Sequence, residues 1–268
     1  MILVHPLINP VILSLGFFQI RWYGIAYVLG FLIGLYLIKK INNQFSSPLK
    51  NKLIDDFFVW SVIGVILGGR VGYFIFYQTS SIINDPISIF FIWQGGMSFH
   101  GGVIGILFSI LIYSNYKRIN FFQLSDLVVT VAPIGIFLGR LANFINVELY
   151  GRTTNFAFAM IYPNIDNLPR HPSQLYEAFF EGIVLFIVLY VSCSKNFVKN
   201  KYGLNTSFFL IFYGLFRFFL EFLREPDSHL GFYYDFFTMF PEHGSSVFAS
   251  PGLYNVQKHK VSCVPIIT

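Results

Sequence analysis

Charge is what this chain has least of. Only 12% of its 268 residues are Asp, Glu, Lys or Arg, while 55% are apolar. A soluble domain carries about 25% charged residues. The shortfall, with a positive mean hydropathy, excludes an ordinary water-soluble globule, because so much apolar surface needs lipid as its solvent. Cysteine is scarce too. Cys193 and Cys263 stand far apart and share no metal or redox spacing, and two scattered cysteines are more often packing residues than a disulfide. Residues Met1 to Gln19 lack a basic leader, so no cleavable signal is expected and the first span directs insertion. No internal repeat and no pair of matching broken helices is visible.

What is present is apolar sequence in span-length runs. A membrane helix needs about 20 such residues. The pattern predicts an all-α, polytopic helical membrane protein with six clear transmembrane helices, near Trp22 to Ile38, Phe57 to Tyr77, Gly95 to Tyr113, Leu124 to Ile145, Gln174 to Cys193 and Ser207 to Leu223. Residues Met1 to Gln19, broken by Pro6, Asn9 and Pro10, read as an interfacial lead-in. Cations mark alternate loops. Lys39, Lys40, Lys50 and Lys52 follow the first span, Lys117 and Arg118 the third, and Lys195, Lys199 and Lys201 the fifth. The second loop has no Lys or Arg. The fourth is longer and holds only Arg152 and Arg170. Positive loops stay cytoplasmic, so the amino terminus is expected outside. The polar stretch from Gly151 to Pro172 then forms a short periplasmic arm.

That topology sets the depth of the polar residues. Arg140, Asn143 and Asn146 fall at the outer end of the fourth span, His100 in the outer third of the third, and Arg21 and Tyr23 at the mouth of the first. Arg70 and Arg217 reach mid-depth or beyond, with Glu221 and Arg224 further out. Each has a plain reading. Arg21 and Arg224 can snorkel to the interface, Arg217 and Glu221 can pair as i,i+4 neighbours, His100 can be a core histidine, and the many glycines can be helix-packing positions. Their convergence at one depth points instead to an anion site in the outer leaflet. Arginine offers a fork of donors that matches phosphate, and a phospholipid already has its headgroup there. A small-anion or lipid transporter is the alternative class. It calls for polar residues near the midplane and repeated halves, neither of which is found.

Five segments then carry a resemblance. The run Gly139-Arg-Leu-Ala-Asn-Phe-Ile-Asn-Val-Glu-Leu-Tyr-Gly151 resembles the signature of bacterial prolipoprotein diacylglyceryl transferases. The segments Arg21-Trp-Tyr-Gly24, Gly96-Met-Ser-Phe-His-Gly-Gly102, Arg170-His-Pro-Ser-Gln-Leu-Tyr-Glu177 and Tyr213 to Asp227 resemble that family's other motifs, in order and spacing. The resemblance implies a multi-pass enzyme of the bacterial inner membrane with its site facing the periplasm. It implies transfer of the diacylglyceryl group of phosphatidylglycerol to the lipobox cysteine of a prolipoprotein, forming a thioether and releasing glycerol phosphate. Its partners are membrane lipid and lipobox signal peptides. No cofactor, metal or nucleic acid is implied. Carried over by position, Arg140 and Arg217 bind phosphate, His100 and Tyr23 join them as catalytic candidates, and Asn143, Asn146, Glu148, Gly151, Tyr213 and Glu221 complete the substrate-binding set.

The likeness stops near Met239. Residues 1–239 read as the transferase core and 240–268 as an atypical tail lacking the family's seventh span. A shifted reading frame or an altered gene end would give that pattern, and an inactive, truncated or frame-altered family member is the second alternative. The chemistry expected of the core has three needs: a thiolate, since the free thiol has a pKa of about 8.5; stabilisation of the leaving phosphate; and in-line placement of the reactants. His100 suits the first, because imidazole titrates near neutrality, unless it only orients lipid. The arginines suit the second. Tyr23 either donates to a phosphate oxygen or anchors at the interface. Glu148 and Glu221, each within a turn or two of an arginine, are expected to orient them.

Overall fold

The computed structural model describes residues 3–15, 18–45, 48–79, 85–91, 96–195 and 201–225. The atypical tail therefore lies outside the described residues. Six helices are long and apolar enough to span a membrane: α1 (Trp22–Asn42), α2 (Asn51–Tyr77), α3 (Phe99–Lys117), α4 (Phe121–Asn146), α5 (Ser173–Cys193) and α6 (Leu204–Glu221). They coincide with the six expected spans, and α2 starts about two turns earlier than its apolar core. Their exposed side chains include many large apolar ones, among them Tyr27, Leu32, Leu67, Leu107, Ile187 and Phe219. Their buried set includes Arg70, Asp126, Arg140, Glu177, Glu181 and Asn205. Apolar outside and polar inside inverts the soluble pattern and suits lipid. The described residues divide into two units, one within 3–62 and 109–225 and the other within 63–108.

In the first unit, α1 packs along α4, and α4 also touches α5 and α6. Helix α4 starts because Asn120 accepts from the amides of Phe122 (2.9 Å) and Gln123 (3.2 Å). It stops at Val147, which turns left-handed (φ 59°). Helix α6 has its amino-terminal amides capped from a distance. Asp126 of α4 accepts from Gly203 N at 2.7 Å, Thr206 N at 2.8 Å and Thr206 Oγ1 at 2.6 Å. A carboxylate at a helix amino terminus answers both its orphan amides and its dipole. Beside it, Asn205 donates to Thr130 Oγ1 and the Leu189 carbonyl and accepts from Ser192. This buried polar knot ties α4, α5 and α6 at the end remote from Arg140.

The lead-in before α1 is not helical. Val11–Leu15 (β2) and Phe18–Arg21 (β3) form an antiparallel hairpin. Leu3–Val4 (β1) pairs in parallel with Met160–Ile161 (β4), which pairs antiparallel with Pro169–Arg170 (β5). The expected arm is thus a three-stranded patch completed by the chain's first residues. His5 pins it, with Nε2 2.9 Å from the Phe144 carbonyl and its ring stacked on Tyr162.

The second unit is a close crossing of α2 and α3. A Cβ at Gly105 would lie 2.0 Å from the Gly64 carbonyl oxygen, and one at Gly101 would lie 2.2 Å from that of Gly68. Only hydrogen at these positions lets the backbones approach. Arg70 in α2 donates to the carbonyls of Ile89 (3.0 Å), Gly96 (3.0 Å), Ser88 (2.8 Å) and Phe91 (2.9 Å). It therefore satisfies the loop between α2 and α3, which leads to His100. Gly105→Ala is expected to force the helices apart and lower the thermal midpoint in detergent. Gly135→Ala, where nothing lies within 4 Å of an added Cβ, should leave it unchanged. Equal midpoints for the two variants would refute the packing account.

Candidate functional site

Two arginines and three acids meet inside the first unit. Arg140, in the last turns of α4, is 7% exposed, and Glu177 and Glu181 of α5 are fully buried. Arg140 Nη1 is 3.1 Å from Glu177 Oε2, and Nη2 is 3.3 Å from Glu181 Oε2. Arg217 of α6 reaches Glu177 Oε1 at 2.9 Å, Glu181 Oε1 at 4.0 Å and Glu221 Oε2 at 2.7 Å. Glu177 is thus held between both guanidinium groups. The two α5 acids, four residues apart, share one helix face. Residues Ala178–Val184 take the wider π-helical turn, a form frequent at functional sites. Gly182 lets α5 lie against Phe137 of α4, where a Cβ would come within 2.6 Å of the phenylalanine Cβ.

The ion pairs leave directions unspent. Among the described residues, Arg140 Nη1, Glu177 Oε2, Glu181 Oε1 and Glu221 Oε2 are buried without an aligned hydrogen-bond partner, although each is near an opposite charge. Buried polar groups are nearly always satisfied. A cluster that is charge-paired but under-bonded is built to accept something further.

The turn after α4 carries the next group. Tyr23 Oη donates to Glu148 Oε2 at 2.7 Å, and Asn146 Nδ2 donates to Glu148 Oε1 at 3.4 Å. Glu148 is therefore held by Tyr23 and Asn146, while the partners of Arg140 come from α5. Val147 (φ 59°) and Leu149 (φ 55°), on either side of Glu148, are left-handed. Such strain in non-glycine residues persists only where surroundings over-determine it. Here Gln174 Nε2 donates to the Glu148 carbonyl (2.6 Å) and Ser173 Oγ to that of Leu149 (2.7 Å). Burial pushes the Glu148 carboxyl up from its ordinary range, and the hydrogen bonds from Tyr23 and Asn146 and the charge of Arg21 pull against it. Asn143 is buried, and its carbonyl accepts from Glu148 N at 2.9 Å.

Gly151 marks a backbone seam. Its amide donates to the His171 carbonyl, and the amide of Arg152 donates to that of Leu223. A Cβ there would lie 2.5 Å from His171 O and 2.6 Å from Leu223 O. Glycine at 151 thus lets the end of the signature lie between the α5 and α6 flanks. Arg170 locks the same seam, with Nη2 2.6 Å from Asp166 Oδ2, Nη1 3.3 Å from Glu225 Oε2, and its guanidinium over the Tyr150 ring. Tyr213 of α6 stacks on Phe209 and lies within electrostatic reach of Arg140 and Arg217. His100 belongs to the second unit. It is exposed in the first turn of α3, edge-on to Phe99.

The candidates Tyr23, Arg140, Asn143, Asn146, Glu148, Gly151, Tyr213, Arg217 and Glu221 therefore lie in one unit. Glu177 and Glu181 were not among them. Their signal was available, since an acid inside an apolar span is a functional marker by default.

The family model described as prolipoprotein diacylglyceryl transferase matches residues 10–253 of the chain, past the boundary at 239 drawn from the motifs. A protein of Rickettsia felis named phosphatidylglycerol–prolipoprotein diacylglyceryl transferase is 48% identical over 237 residues, covering 88% of this chain and 92% of its own. Proteins of the same name from Rickettsia typhi and Rickettsia akari are 48% and 47% identical with the same coverage.

Two outcomes follow from the geometry. Glu177→Ala removes the acid that the buried Arg140 shares with the part-buried Arg217, and breaking a buried pair such as Arg140–Glu177 costs about 3–5 kcal/mol. A large fall in thermal midpoint is expected, with Glu177→Gln milder; an unchanged midpoint for the alanine variant would contradict a shared buried ion pair. In the arm, the hydrogen bond from Arg170 holds the Asp166 carboxyl below the ordinary aspartate range. A depressed pKa contributes stability above the ordinary range that is lost as pH falls through the folded value. Limited pepsin digestion across the acid range should show the arm opening as pH falls below that of an ordinary aspartate, and Asp166→Asn should remove that transition.

Proposed function

The chain belongs to the prolipoprotein diacylglyceryl transferase family, and from that membership we propose that it moves the diacylglyceryl group of phosphatidylglycerol onto the lipobox cysteine of a prolipoprotein. The observation that carries the site assignment is the buried Arg140 beside the part-buried Arg217, whose shared acids leave Arg140 Nη1 without an aligned acceptor among the described residues. A phosphate oxygen supplies such an acceptor, and guanidinium matches it in geometry and charge.

In the proposed reaction a C–S bond forms at the glycerol carbon that bears the phosphate. The C–O bond there breaks, and glycerol phosphate leaves with the electron pair. Negative charge grows on the phosphate, where Arg140 and Arg217 stabilise it in a site kept from water. Glu177, Glu181 and Glu221 hold those guanidinium groups in place beforehand. The thiol proton needs a base, and His100 is assigned that role because imidazole accepts near neutral pH. Tyr23, fixed by Glu148, presents its hydroxyl beside the signature turn. Asn143, Asn146 and Tyr213 complete the lipid-facing wall, and Gly151 shapes the seam that holds it.

The same reading assigns the chain to the bacterial inner membrane with the amino terminus outside and the arginine cluster in the outer leaflet. Lys39, Lys40, Lys50, Lys52, Lys117 and Arg118 flank the ends of α1, α2 and α3 remote from that cluster, as the positive-inside tendency requires.

Purified chain incubated with phosphatidylglycerol vesicles and a lipobox peptide should add the mass of diacylglycerol to the peptide's cysteine. Arg140→Lys keeps the charge but loses the fork, and should slow turnover by about 10²-fold or more, close to Arg140→Ala. A folded wild-type chain that leaves the peptide unmodified would overturn the reading in favour of an inactive family member. A lysine variant with near-full turnover would overturn two-pronged phosphate binding.

A further inference from the structure

The first unit has a second amphipathic site, at the end away from Arg140. Two adjoining cavities open there and share Asp56 and Lys117 in their linings. One, of about 500 Å³, has a wall of Val59, Trp60, Ile112, Tyr113 and Tyr116. The other, of about 400 Å³, is ringed by Lys50, Lys52 and Lys117. Three lysines and one carboxylate, Asp56, thus line that cavity, and Asp56 lies 3.9 Å from Lys117 Nζ. The wall is firmly set. Tyr113 is fully buried and donates to the Leu53 carbonyl at 2.8 Å, its ring packs on Phe57 and Trp60, and Ser109 donates to the Trp60 carbonyl at 3.0 Å. Lys117 also lies 4.7 Å over the Tyr116 ring, which keeps its charge at the mouth.

We propose that this is a binding site for an anionic phospholipid of the opposite leaflet, with the phosphate among Lys50, Lys52 and Lys117 and an acyl chain along Val59, Trp60 and Ile112. The two halves call for the two halves of one ligand. Free phosphate would use the lysines and leave the apolar cavity unfilled; a neutral lipid would fill the cavity and leave the lysines unanswered. Basic clusters at the ends of membrane helices hold anionic headgroups in this way. Lys52 stands in the first turn of α2, whose amino-terminal dipole adds to the attraction. The site is separate from the reacting lipid. Arg140 lies 19 residues along α4 from its first residue, Phe121, or roughly 30 Å at the helical rise, so a headgroup beside Lys117 belongs to the other face of the bilayer.

Full-length chain in phosphatidylcholine nanodiscs, doped with phosphatidic acid bearing a photoreactive group in its acyl chain, tests the assignment. Crosslinks mapped by mass spectrometry should fall on residues 53–60 and 112–116, and excess unlabelled phosphatidic acid should remove them. Lys50→Gln, Lys52→Gln and Lys117→Gln should each weaken the competition about fivefold, and an unchanged thermal midpoint of each variant in the nanodisc serves as the control for folding. Ile112→Trp, which fills the apolar half and keeps every lysine, should also abolish the label. Equal labelling by a phosphatidylcholine probe would overturn the proposal, as would labelling that survives the triple lysine variant. Loss of label to inorganic phosphate alone would reassign the lysines to a soluble anion and overturn the lipid.

Discussion

Everything near the signature depends on two guanidinium groups held inside an apolar bundle. Arg140 and Arg217 come from different helices and would repel each other across a small gap. Glu177, fully buried, lies between them and faces both. An isolated ion in such surroundings costs several kcal/mol even after relaxation. The three helices α4, α5 and α6 therefore cannot drift apart without exposing an unpaired charge to lipid. That requirement explains why α5 turns wide through Ala178–Val184 and why Gly182 is crowded against Phe137. The electrostatic demand fixes the register, and the backbone accommodates it.

The turn after α4 is fixed in a similar way, by hydrogen bonds instead of charge. Val147 and Leu149 are both left-handed; Gln174, Tyr23 and Asn146 donate to Glu148 between them, Glu148 N donates to the Asn143 carbonyl, and Ser173 donates to the Leu149 carbonyl. The last residues of the signature then lie in a seam too narrow for a side chain at 151. Tyr23 of α1 thereby joins α4 through Glu148. At the far end, Asp126 and Asn205 perform the corresponding task for α6. The bundle is thus pinned by polar knots at both ends, with apolar contacts between them. In lipid that arrangement is reasonable, because burial of apolar surface no longer drives helix association and hydrogen bonds with close packing must.

Much of the architecture was legible in the sequence. Six apolar runs, alternating loop charge and the clustering of Arg140, Asn143, Asn146 and Glu148 led to six spans with a polar end. The resemblance across five segments supplied the family. Less legible was what each polar residue touches. Arg70 read as part of an anion site because depth alone groups it with Arg140; in the structure its guanidinium holds the carbonyls of the α2–α3 loop. Glu148 read as an arginine partner because it is near Arg140 in sequence. Beyond the end of a helix the chain turns, and sequence distance no longer measures direction. Glu177 closes a motif and Glu181 sits in an apolar run, so neither stands out by clustering, although acids at those places have no solvent to meet their charge. The first strand of the lead-in is hidden because its two-residue pairing, Leu3–Val4 with Met160–Ile161, depends on segments more than 150 residues apart.

The charge count of the cluster bears on how a phosphate could be chosen there. Arg140 and Arg217 face Glu177, Glu181 and Glu221, so the resting site is not a positive trap open to any anion. Every phospholipid carries a phosphate, and a bare arginine pair in the bilayer would hold them indiscriminately. On the proposed function, an incoming phosphodiester must share guanidinium edges already engaged by carboxylates. It gains only where donors are unspent, at Arg140 Nη1 above all. The phosphate contact alone is then weak in the ground state and strengthens as charge accumulates on the leaving oxygen. Interactions that grow toward the transition state accelerate a reaction, while those equal in both states do not. Acids that temper the arginines thus serve turnover better than a stronger anion site would, and they leave recognition of the lipid to its glycerol headgroup.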